Sequence, residues 1–135
     1  MTEPVQDRDA MIAGMQPDLY PHSYVFCTLP DTAAAGDLMG HALATFHEDE
    51  GLSLLLPLDI AAARGFPTDQ PMRRITLQVY SSLSGVGLTA AVATALADAG
   101  IPCNMIAATC HDHAFVPADM ADRALAILQD LSRNR

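Results

Sequence analysis

This 135-residue chain lacks tryptophan altogether, and its aromatic residues amount to only 5%. Basic residues are equally scarce. Seven cationic side chains, all Arg, stand against 16 Asp and Glu, for a formal charge of −9. A nucleic-acid partner would need a cationic surface to displace counterions from phosphates, so DNA, RNA and anionic membrane surfaces are excluded as expected partners. No apolar run reaches the length of a membrane span, and the start, MTEPVQDRDA, is acidic where a secretory signal would be basic and then apolar. Cys27, Cys103 and Cys110 are odd in number and lack CxxC spacing, which argues against a disulfide framework and for reduced, mostly buried thiols. GxGxxG and Walker motifs are missing as well. A soluble, cytoplasmic protein is expected, with no cofactor.

Half of the residues are apolar, enough for one compact domain or two small ones. DRDAMIAGM (7–15) reads as a leading helix and YVFCTL (24–29) as a strand. Residues 30–40 read as an exposed loop. ATF (44–46) and LSLLL (52–56) form a hairpin around the acidic tip Glu48-Asp49-Glu50, which is read as a solvated rim. A short helix over 59–64 and the two-proline linker FPTDQP (66–71) come next.

The second half is clearer. Ile75, Leu77 and Val79 alternate with polar neighbours, the period of a half-buried strand. A Ser/Gly turn comes next, with Ser84 as the expected N-cap and Gly100 as the terminator of the helix. On that helix Leu88, Val92 and Leu96 fall four apart, and Ala90, Ala93 and Ala97 are expected to line the sheet beside them. Strands over 101–108 and 113–116 precede a helix opening at Asp119, with Ala121, Ala124, Leu125, Leu128 and Leu131 on one face. The order is β-α-β-β-α.

The halves resemble each other. ATFHED (44–49) matches ATCHDH (108–113), and LLLPLDIA (54–61) matches AFVPADMA (114–121). The first half then reads as a cut-down copy, with its loop at 30–40 in place of the long helix. A β-α-β-β-α unit with a right-handed crossover gives the split-βαβ, ferredoxin-like plan, an α+β fold with helices on one face of an antiparallel sheet.

The strand ITLQV (75–79), the turn Ser82-Leu83-Ser84-Gly85, the helix end ALADAGI (95–101) and Asn104 resemble an ACT domain. The whole chain resembles small stand-alone proteins with a truncated ACT half before a complete, aspartokinase-type one. YVFCTLP (24–30), ATFHEDEGLSLLLP (44–57), SSLSGVGLTAA (81–91) and HDHAFVP (111–117) carry that likeness. It implies an arm over 1–18, a truncated half over 19–66 and a complete ACT domain over 72–133. It also implies an amino-acid or related carboxylate ligand, with Ser81, Ser82, Leu83, Val86, Gly87, Leu88 and Asn104 as contacts. The family's common Asp-x-Pro-Gly turn is here Ser82-Leu83-Ser84-Gly85, without the acid that would meet a ligand ammonium.

Three functions are compatible with these features. The first is a non-enzymatic regulatory sensor, expected as a homodimer. The second is a dimerisation or protein-interaction module without a ligand. The third is a metal-dependent enzyme using His111 and His113, which share a strand face but need a third ligand such as His41 or His47. Cys110 beside His111 makes no catalytic dyad, because adjacent strand residues face opposite ways.

Overall fold

The computed structural model describes residues 3–133. The chain runs through α1 (Arg8–Ala13), β1 (Pro17–Leu29), α2 (Leu38–His41), β2 (Ala44–Glu48), β3 (Gly51–Pro57), α3 (Leu58–Ala63), β4 (Met72–Leu77), α4 (Leu88–Asp98), β5 (Asn104–Ala107), β6 (Asp112–Pro117) and α5 (Ala121–Arg133). Among the described residues, the stretch up to Pro21 joins the chain from Arg73 onward in one compact unit, and His22–Met72 form the other.

In the unit of His22–Met72 the strand order is β2-β3-β1. β2 and β3 form the expected hairpin, paired antiparallel from Ala44↔Leu55 to Glu48↔Gly51. Gly51 holds φ +139, and a Cβ there would stand 2.5 Å from the Leu29 carbonyl oxygen, so this tip accepts only glycine. β3 pairs antiparallel with β1 from Tyr24↔Pro57 to Leu29↔Leu52. Val25 and Cys27 on β1 and Leu52, Leu54 and Leu56 on β3 alternate inward, where Leu38 and Ala61 cover them. Residues 30–40 are more ordered than a plain loop. Asp31 caps a 3-10 turn over Thr32–Ala34, and α2 comes after it, its Asp37 ion-paired with Arg64 at 2.5 Å. These short pieces occupy the chain position at which the later half carries its long helix.

The other unit has the strand order β1-β4-β6-β5, to which β1 contributes its first residues. β1 starts well before the expected Tyr24, running through two prolines. Long-range partners explain the extension: Arg73 Nε donates to the Tyr20 carbonyl at 2.8 Å, and Gln78 N–H donates to the Met15 carbonyl at 2.5 Å. No local propensity signals such pairing. Ile75, Leu77 and Val79 of the β4 stretch and Ala114 and Val116 of β6 face one layer of α1, α4 and α5.

Met11, Ile12 and Met15 of the leading segment are fully buried in that layer. The inward stripe of α4 is Leu88, Ala91, Val92 and Leu96, whereas Ala90 and Ala97 are exposed. The expected small-residue stripe therefore lies on the wrong side of the leucines. An i, i+3, i+4 face includes Ala91, and α1 covers that flank. On α5 Ala121, Ala124 and Leu128 are buried, with Leu125 and Leu131 packed beside them.

Leu128→Ala is expected to lower stability by about 2–5 kcal/mol, and Phe46→Ala, at an exposed position, by about 0.5 kcal/mol or less. Urea unfolding monitored by circular dichroism checks the pair.

Candidate functional site

β4 ends at Leu77, and the chain then passes through Val79 to Ser82 before α4 begins. This passage is fastened by the leading segment. Val5 N–H donates to the Tyr80 carbonyl at 2.7 Å and the Ser82 N–H to the Val5 carbonyl at 2.8 Å, a parallel bridge centred on Ser81. The Ser82 hydroxyl accepts from the Ser84 N–H at 3.0 Å and from Gln6 Nε2 at 3.3 Å. Gly85 N–H closes the turn onto the Ser82 carbonyl at 3.0 Å. A Cβ on Gly85 would approach the Met11 sulfur to 3.0 Å.

The helix does not start at the turn itself. Its N-cap is Gly87 at φ +108, without a side-chain cap hydrogen bond, so Ser84 is not the cap the sequence suggests. Ser82 takes the local capping role, and two more residues pass before the backbone turns helical. Among the described residues the first N–H groups of α4 thus gain no side-chain acceptor from the cap position. The Arg8 side chain lies over this corner: a Cβ on Gly87 would fall 2.7 Å from its Cδ. A cationic group beside uncapped helix N–H groups favours an anion.

The predicted contact residues divide by orientation. Leu83 and Val86 project into solvent at 73% and 80% exposure. Ser81 and Leu88 are buried. Burial pushes the Asp112 carboxyl up, while the Ser81 hydroxyl and the nearby His111 offset part of the rise. Ser82 and Gly87 remain half-buried at the corner.

Asn104 is elsewhere. It pairs with Phe115, whereas Ala107 pairs with Asp112 at the end of β6 near the turn. Within one chain Asn104 therefore stands roughly 10 Å from the turn along the strands. Val5, Gln6, Arg8 and Met11 were invisible to sequence reasoning, because nothing local in an N-terminal arm announces its distant partners.

His113 Nδ1 lies 2.9 Å from the Thr76 hydroxyl, and His111 Nδ1 lies 3.3 Å from the Val79 carbonyl. Both rings are thus held by single-residue partners of β4 and its extension. Among the described residues no group of three His, Cys, Asp or Glu is placed to hold a metal, so no third ligand joins this pair. Cys27 and Cys103 are free thiols, pushed up by burial. In the other unit a cavity of about 470 Å³ lies along Val25–Thr28, closed by Phe66, Pro67, Asp69, Gln70 and Met72.

Gly87→Ala is expected to cost about 1–3 kcal/mol through its positive φ and the Arg8 contact, read from urea midpoints. His113 supplies a pH signature. Burial, then the charges of Arg74 and His111, hold its imidazole below the ordinary value. Below about pH 6.5 the unfolded chain takes up a proton that the folded chain resists, so this contribution is intact above that pH and lost as pH falls. His113→Gln should flatten the acid-side decline of the urea midpoint, and an unchanged slope would refute the assignment.

Two ACT domain family models match the chain, over residues 4–73 and 71–130. No curated protein matches it. A Vibrio cholerae protein of unknown function, described as a possible transport protein, is 40% identical, with 92% of this chain and 94% of that chain covered and a TM-score of 0.82. The regulatory subunit of aspartate kinase from Thermus flavus shares the fold at 14% identity and a TM-score of 0.60, over 85% of this chain and 95% of that one. Aspartokinase alpha and beta subunits do so at 12% identity and 0.61, over 87% and 97%. The α+β, ferredoxin-like plan expected from the internal repeat is therefore present twice in succession, and the chain belongs to the ACT domain family.

Proposed function

We propose that the chain is a non-enzymatic regulatory protein that binds an amino acid or a related small carboxylate at the Ser82–Leu88 corner. The supporting observation is the uncapped N-terminus of α4, set behind a Ser/Gly turn and beside Arg8, in the later of two successive ACT segments. The ligand carboxylate would accept from the free N–H groups at the start of α4 and from the Ser82 hydroxyl, whose own acceptor sites are taken by the Ser84 N–H and Gln6 Nε2. Exposed Leu83 and Val86 would cover its side chain.

Asn104 joins this corner only through another copy. β5 ends the strand order of its unit, with Asn104 and Ala107 exposed on it, which suits a homodimer that brings Asn104 of one copy to the turn of its partner. Regulation then requires tighter binding to one state of association or shape than to the other. Free thiols suit cytoplasmic residence, and no described helix is long and apolar enough to cross a membrane.

Thermal melts against the twenty amino acids provide the test. An amino acid at about 100 times its dissociation constant adds roughly 2.7 kcal/mol of stability, and Ser82→Ala or Asn104→Ala should remove most of that shift. Flat melts with every amino acid would end the sensor reading and leave a ligand-free dimerisation module.

A further inference from the structure

A second polar cluster lies on the helix-free face of the unit that contains α4 and α5, and it owes nothing to the turn. Ile75 and Leu77, Ala114 and Val116, and Leu19 all point into the helix-covered core. By alternation Arg74, Thr76 and Gln78 of the β4 stretch, His113 and Phe115 of β6, and Asp18 and Tyr20 of β1 share the opposite face. The contacts Thr76–His113 and Val79–His111 step in opposite directions, so β4 and β6 are antiparallel and Arg74 falls beside Phe115. Tyr20 is on its other side, with the guanidinium carbon 3.9 Å above the ring centroid.

Arg74 is the anomaly of this face. Its Nε is buried and, among the described residues, has no hydrogen-bond partner. Arg8 and Arg64 pair with carboxylates, Arg73 donates to the Tyr20 carbonyl and Arg123 to that of Ala99. The chain carries 16 carboxylates for 7 arginines, yet among the described residues Arg74 enters no ion pair. The nearby Asp18 instead accepts from Gln78 Nε2 at 3.3 Å. A cation with a buried, unpaired donor is destabilising unless something else supplies the charge and the acceptor. Thr76 and Phe115 beside it are buried, at 2% and 1% exposure, while Arg74, Tyr20 and His113 are half-buried.

We infer that Arg74 is the anchor of a small-carboxylate site on this helix-free face, with the Thr76–His113 pair beside it. A planar, singly charged carboxylate matches the guanidinium fork and its one positive charge. A doubly charged phosphate would leave part of its charge uncompensated beside a neutral imidazole. The site uses none of the residues of the Ser82–Leu88 corner, so the two readings stand or fall separately.

A sodium acetate titration at constant ionic strength tests the inference on the full chain. The wild-type melting temperature should rise by about 4 °C once acetate exceeds its dissociation constant tenfold. Ser82→Ala should keep that rise, and Arg74→Met should lose it. Should Arg74→Met fail to fold, Arg74→Lys keeps the charge without the fork and should bind acetate about tenfold more weakly. Acetate should also move the C2-proton NMR resonance of His113, identified by its loss in His113→Gln, and should move it less in Arg74→Lys. Equal rises in wild type and Arg74→Met, or phosphate acting where acetate does not, would overturn the assignment.

Discussion

Burial of Met11, Ile12 and Met15 against α4 and α5 is the interaction on which the later ACT unit depends. These side chains close the helix layer, and the backbone around them brings Val5 to the Ser/Gly turn and Tyr20 to Arg74. The two corners of that unit thus share one structural origin. At the first, Met11 and Arg8 crowd Gly85 and Gly87, so the turn has the shape its N-terminal neighbour permits. At the second, the start of β1 gives the guanidinium a ring to stack on, although it supplies no anion.

This dependence gives the two glycines different meanings. Gly87 needs a backbone conformation that L side chains rarely adopt, and it also needs empty space for Arg8. Gly85 needs the space that the Met11 side chain and the Ser82 carbonyl oxygen fill. A helix preceded by such a glycine forgoes the side-chain cap that Ser84 seemed to offer, which leaves the first N–H groups of α4 available. Loss of a cap costs stability in an isolated helix. Here the packing of Leu88, Ala91, Val92 and Leu96 holds α4 in place without one.

The range of each signal decided how much was legible. The β2–β3 hairpin, the alternation of Ile75, Leu77 and Val79, and the apolar face of α5 rest on neighbours within a few residues, and they appear as expected. The beginning of β1, the inward side of α4 and the surroundings of Ser82 rest on contacts across most of the chain, and periodicity has no access to those. Asn104 shows the same limit for a site. A family pattern associates it with the turn, but the register Asn104↔Phe115 sets it at the other end of the sheet within one chain.

The sequence by itself determined the fold class, because two runs of alternating and helical periods in the order β-α-β-β-α admit few packings, and the repeated Ala-Thr-x-His and Pro-x-Asp segments tie the runs together. It also placed the Ser/Gly turn between a strand and a helix, since serine and glycine act on their own backbone. Only the tertiary structure decided which groups meet there and which polar atoms stay unpaired. Arg73 and Arg74 are adjacent and identical as letters, yet one donates to a backbone carbonyl and the other leaves a buried donor empty. Alternate strand residues face opposite sides of a sheet, so their environments are set by packing partners that the local sequence does not contain.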